Sequence, residues 1–242
     1  MKFAYSLADW QALAPGLSDN DAWQSWAQQP PVFDSTQDMA KPRMLPMMTA
    51  RRLSGGSRAA VECALALQMR QPTDAIIFTS RHGELERNLR ILTALASGEA
   101  LSPTDFAMSV HNSAVGSLTI AAKQPWVSTS ISAGLDSFQQ GMIEVSALHQ
   151  AGYPRVMLVD FDGAVPDYYL PWLPEGRAKL PYAVALLLIQ GEDLQCETRP
   201  VPGEDAALLP QSLAFLHGVL SDAARFCYAG ERQTWCWEKK HD

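Results

Sequence analysis

Reactive and membrane-spanning chemistry is scarce in this chain of 242 residues. Its cysteines are Cys63, Cys196, Cys227 and Cys236, and none forms a C-x-x-C pair. Zinc ribbons and thioredoxin-like dithiols need that close spacing, so no metal site and no cofactor are expected. Four scattered thiols suit a reducing, cytoplasmic location. The longest apolar run, Tyr182–Ile189, falls far short of the ~20 residues a membrane helix needs. The opening MKFAYSLADW has no apolar stretch of signal-peptide length. Positive charge is also short: the net charge is −7 and the pI about 5.2, which argues against a general nucleic-acid binder.

What is present is enough apolar material for a packed core, at 47% of residues, and we expect one α/β domain over 1–242. Charge is unevenly spread. Asp9, Asp19, Asp21, Asp34 and Asp38 precede a basic stretch of Lys41, Arg43, Arg51, Arg52 and Arg58. That stretch is either a solvated face or a docking patch for an acidic partner. Strands are expected at Lys2–Ser6, Ala75–Thr79, Trp126–Ile131 and Arg155–Asp160. Tyr182–Ile189 and Leu194–Arg199 read as a hairpin turning at Gln190–Asp193, and Arg232–Lys239 as a last edge strand. Helices are expected at Asp21–Gln28, Ser57–Arg70, Glu84–Ser97, Ser117–Ala122, Ala133–Gln150 and Pro210–Phe226. Glu84–Ser97 is amphipathic, with Leu85, Leu89 and Leu92 in register and Gly98 after it. The order predicts a layered α/β fold with a mixed sheet.

Three segments together resemble the N-terminal half of β-ketoacyl synthases. They are KPRMLPMMTARRLSGGSRAAVECALAL (41–67), LSPTDFAMSVHNSAVGSLTIAAK (101–123), and PWVSTSISAG (125–134) with the later RVMLVDFDG (155–163). The resemblance implies a thiolase-like layered α/β fold, truncated relative to a full ketosynthase. The SVHNSAVG segment and STSISAG elbow look like the chain-length factors of aryl polyene pathways. Membership there implies a non-catalytic subunit paired with a ketosynthase, acting on an acyl chain carried by an acyl carrier protein.

In a ketosynthase the strand-to-helix elbow exposes a cysteine thiolate activated by the helix N-terminus. Here that position falls at Ile131 or at Ala133, both inert. Ser130 and Ser132 share the turn but need a nearby base to act. Nothing after Gly163 resembles the family's glycine-rich histidine motifs, and His82, His111, His217 and His241 sit in unrelated contexts. The resemblance also implies dimerisation through Trp126, Val127, Ser128, Thr129, Ser130 and Ile131, and nominates Phe106 and Met108 as tunnel-floor residues or, alternatively, ordinary core. Two other readings remain. VMLVDFDG resembles the D-x-D-G motif of haloacid dehalogenase-type phosphatases, in which Asp160 would be the nucleophile, Asp162 the acid/base and Mg²⁺ the metal, with Lys179 and Gly191–Asp193 as weak partners. An unrelated α/β binding protein is the other.

Overall fold

The computed structural model describes residues 1–34, 36–173, 180–200 and 209–240. Second from one edge of its seven-stranded sheet is the strand β2 (Ala75–Thr79), every residue of which is buried. Parallel neighbours flank it, β3 (Val127–Ile131) on one side and β4 (Arg155–Asp162) on the other. A five-residue apolar run buried on both faces is what a central parallel strand requires. Alternation then divides its side chains between two cores. Ile76 and Phe78 join Met157 and Val159 of β4 under the helices α3 (Gly55–Arg70) and α6 (Ser113–Ala122), through Ala60, Ala64, Leu67 and Leu118. Ile77 and Leu158 face the other way, against Phe138, Met142 and Val145 of α7 (Ser137–Gln150).

Beyond β4 the sheet becomes antiparallel through β5 (Tyr182–Pro200), β7 (Gln233–Lys239) and β6 (Arg225–Ala229), with β1 (Lys2–Leu13) also paired to β5. This is the mixed sheet the sequence predicts, but several boundaries differ. The expected hairpin at Gln190–Asp193 is one continuous strand. β1 runs along both of its halves, pairing Ser6 with Ile189 and Tyr5 with Leu194, so the four intervening residues form a bulge. The support comes from β1, far away in sequence, which local turn chemistry cannot reveal. The last helix, α8 (Gln211–Leu220), ends before Phe226, which belongs to β6. β7 is therefore interior and β6 is the edge strand.

The β6–β7 hairpin also corrects the view of the cysteines as scattered. Cys227 and Cys236 face each other directly, with Cα atoms 4.1 Å apart, and form a disulfide. Cys63 and Cys196 are free and buried. The irregular segment after β1 contains α1 (Asn20–Ala27), capped by Asp19 and anchored by buried Trp23, whose indole donates to the Ala12 carbonyl at 3.1 Å. The basic segment is tied down by the Glu62 carboxylate, which accepts the N–H groups of Arg43, Met44 and Leu45 at 2.6, 2.8 and 3.0 Å. Among the described residues no helix is long and apolar enough to cross a membrane.

Helix α3 approaches β4 backbone to backbone. A Cβ on Gly56 would lie 2.5 Å from the Gly163 nitrogen and 2.7 Å from the Asp162 carbonyl carbon. Backbone cannot step aside as a side-chain tip can, so Gly56→Ala should lower stability by about 1–3 kcal/mol in urea unfolding. Gly55→Ala, with nothing within 4 Å of its Cβ position, should leave stability unchanged or slightly raised. Equal effects of the two would contradict this packing.

Candidate functional site

The carboxyl ends of β2, β3 and β4 meet at Thr79, Ile131 and Asp162. The β2-to-β3 connection runs through α6 on one face and the β3-to-β4 connection through α7 on the other. Such a switch in direction opens a crevice beyond the strand ends. Here it is a pocket of about 70 Å³, lined among others by Arg81, His82, Gly134, Phe138, Asp160 and Asp162.

The elbow that borders this pocket is closed by its own hydrogen bonds. Gly134 takes a positive φ of 60°, which admits the sharp turn from β3 into a 3₁₀ turn at Gly134–Asp136 and then α7. The Ser137 hydroxyl accepts from the Ala133 N–H at 2.9 Å and donates to the Gly134 carbonyl at 2.8 Å. Ile131 packs against the core. Among the described residues Ser130 Oγ is buried without a hydrogen-bond partner, and Ser132 Oγ reaches only the Arg81 carbonyl at 3.5 Å.

No described histidine bonds either serine. His111 Nε2 meets the Ser80 carbonyl at 3.1 Å, His217 Nε2 meets the Gln29 carbonyl at 2.9 Å, and His149, not singled out in the sequence, meets the Leu188 carbonyl at 3.2 Å. His82 lines the pocket, but burial and then the nearby Arg81 charge push it down to about 4, so it is neutral near pH 7. His241 lies outside the described residues.

The D-x-D pair sits within β4 and not on a free loop. Asp160 accepts from Thr79 Oγ1 at 2.5 Å, Ser212 Oγ at 2.5 Å and Tyr182 Oη at 2.9 Å. Asp162 accepts from Ser80 Oγ at 2.6 Å and the His82 N–H at 2.8 Å. Asp160 thus ties β2, β4, β5 and α8 together, with both oxygens engaged. The phosphatase reading needed an acidic group beside the pair. Gly191–Asp193 lies on the β5 bulge, roughly 23 Å along the strand from Val184, the partner of Asp160. Lys179 lies outside the described residues. Among the described residues no group of three or more His, Cys, Asp or Glu side chains could hold a metal.

A second feature borders the elbow. β3 is an edge strand whose outer side pairs with no described strand, and its sequence VSTSI has neither proline nor charge to block pairing. Beside it lie α4 (Leu85–Ser97), α5 (Pro103–Ala107) and α6. Leu92, Leu95, Leu101, Phe106, Val110, Ile120 and Val127 are all exposed, Phe106 at 64% and Ile120 at 78%. Phe106 is therefore not a core residue, whereas Met108 packs partly buried on the core. Trp126 turns inward, its indole donating to the Thr73 carbonyl at 3.1 Å, while Val127 and Ser128 are exposed on the edge.

The amphipathic stripe of α4 exists, but the helix buries only Arg87. Its guanidinium meets Glu84 at 2.9 Å, Asp105 at 2.7 Å and the Arg52 carbonyl. Glu84 in turn accepts from the hydroxyls of Ser54, Ser57 and Ser113. Arg90 adds a second pair to Asp105 at 2.8 Å. Neither this polar knot nor the Asp160 hub could be found from the sequence, because their members are dispersed across the chain.

Burial raises both Asp160 and Asp162 to about 6. The native state therefore holds more protons than the unfolded chain between pH ~4 and ~6, and the stability from these groups falls as pH rises through that window. Urea midpoints should drop between pH 4 and pH 7. Asp162→Asn keeps the acceptor for Ser80 and His82 and should remove about half of that slope. An unaltered slope would assign the pH dependence to other groups.

A family model for the β-ketoacyl synthase N-terminal domain matches residues 23–238. Among solved structures, the chain is similar to one in a complex described as the ketosynthase ApeO with its chain length factor ApeC, from Xenorhabdus doucetiae. The two are 50% identical with a TM-score of 0.94, over 98% of this chain and 100% of that one. The ishigamide ketosynthase/chain length factor matches at 11% identity and TM-score 0.62, over 84% of this chain and 69% of that one. A type II polyketide synthase acyl carrier protein–ketosynthase complex, AntDE:AntF, matches at 9% and 0.67, over 99% and 100%. These last two speak to the fold alone. A search of curated proteins finds no match. The strand order, the elbow and the family match agree: the chain belongs to the β-ketoacyl synthase family and has its thiolase-like fold.

Proposed function

We propose that this chain is a non-catalytic chain-length factor that pairs with a ketosynthase during chain elongation on an acyl carrier protein. The observation that carries this reading is the elbow. It keeps the family's strand, turn and helix, yet offers only Ile131, Ala133 and two serines without a histidine. A condensing reaction needs a thiolate and a base at this point, and the described residues assemble neither. The relative at 50% identity belongs to a complex that contains a ketosynthase and a chain length factor. A chain with no cysteine at its elbow fits the second role.

The free edge of β3 and the apolar face beside it support a partner subunit. An exposed apolar surface of this kind marks an interaction site, and the open ladder of Val127–Ile131 would extend into the partner's sheet. Phe106, projecting from α5, would then enter the partner's acyl tunnel and stop the growing chain by steric exclusion. Met108 lies deeper and would act behind it. The exposed basic segment with Lys41, Arg43, Arg51 and Arg52 suits an acidic partner such as the carrier protein. One domain over 1–242 belongs to the same reading, and so does a cytoplasmic location, which follows from the proposed role and not from the cysteines, two of which form a disulfide.

Co-expression with its ketosynthase should give a one-to-one complex by size-exclusion chromatography. Leu95→Asp with Ile120→Asp changes only exposed side chains and should abolish that complex. An undiminished complex would refute the placement of the interface. In an intact complex, Phe106→Ala should lengthen the product by one or more two-carbon units, read by mass spectrometry of the released chains. Unchanged length would remove Phe106 from the tunnel.

A further inference from the structure

We propose that Arg87 is a positioning residue for chain-length selection: it fixes α5, and so the place of Phe106, by a buried ionic contact one residue away. The proposal rests on the chain-length reading above and adds a residue that touches neither the partner face nor the tunnel.

Helix α5 is five residues long and buries none of them. A helix this short has no intrinsic stability, and its apolar anchor, Met108, stands after its last residue as the C-cap. The described fastenings within the helix are polar. Ser102 caps it, accepting the Asp105 N–H at 3.2 Å, and Asp105 meets Arg87 at 2.7 Å and Arg90 at 2.8 Å. Arg90 is half exposed, so water competes for its contact. Arg87 is not: its side chain is 6% exposed and its remaining donors are held by Glu84 and the Arg52 carbonyl. The planar fork reaches three acceptors on three segments at once, which a lysine cannot do. Asp105 immediately precedes Phe106, so a shift of this carboxylate moves the phenyl ring with it.

The test uses the co-purified complex and two variants, Arg87→Lys and Phe106→Ala, alone and combined. Arg87→Lys keeps the charge and should keep the one-to-one complex. It should raise amide exchange across residues 101–110 by about fivefold or more, with β2 and β4 unchanged, and should broaden the product-length distribution. In the Phe106→Ala background it should change product length no further, because its effect passes through that ring. The proposal falls if exchange in 101–110 is unaltered, if Arg87→Lys leaves lengths unchanged while Phe106→Ala shifts them, or if the two effects add. If exchange rises but neither variant moves product length in an intact complex, the chain-length reading itself fails and this proposal with it.

Discussion

A guanidinium buried between helices determines which way the helices face. Arg87 is the one residue that α4 buries, and its partners Glu84, Asp105 and the Arg52 carbonyl come from three different segments. Burying a charge is expensive, and a buried ion pair adds little net stability over an apolar replacement; removing one partner alone costs about 3–5 kcal/mol. Its consequence is geometric. With a polar residue plugged inward, Leu92 and Leu95 of α4 are left exposed, as are Phe106, Val110 and Ile120. The usual helix buries its apolar stripe and shows its charges; in α4 Leu85, Leu89 and Ile91 are only half-buried, Leu92 and Leu95 are exposed, and the buried residue is an arginine. Such a surface is stable only if another surface covers it.

Carboxylates play the corresponding role elsewhere in the fold. Glu62 gathers three successive N–H groups of the basic segment onto α3, Glu84 collects three serine hydroxyls from around the first turn of α3 and the start of α6, and Asp160 collects three more hydroxyls across β2, β5 and α8. Each meets the need of a buried charge for several donors. For the crevice at the strand ends, the result is chemical quiet. Its acidic groups serve as acceptors in structural bonds, its histidine is neutral, and its serines point at carbonyls or at nothing. On the proposed reading, the crevice that a condensing enzyme of this family would use for chemistry serves here as architecture.

The parts legible in the sequence were those carried by local pattern. AIIFT announced a buried strand, RVMLVD another strand, and Gly98 the end of α4, where it adopts φ 68°. The missing cysteine was visible by inspection. Parts that depend on distant partners were not legible. β5 reads as a hairpin until β1 is laid beside it, and Cys227 and Cys236 look unrelated until the β6–β7 hairpin pairs them. The stripe of α4 gave the right period, but periodicity carries no sign: nothing local says whether a leucine row faces the core or a partner. Arg87 is the residue that α4 buries, and two of its three acceptors, the Arg52 carbonyl and Asp105, lie on other segments before and after the helix.

The central claim is that the face built from α4, α5, α6 and the β3 edge is covered by a ketosynthase. Site-specific photocrosslinking tests it most directly, with a benzophenone side chain placed at Val127 on the β3 edge or at Met69, which is more open to solvent than Val127 but lies at the far end of α3. Capture of the ketosynthase from Val127 and none from Met69 is the predicted result. Capture from Met69 alone, or from neither in an intact complex, would contradict the account.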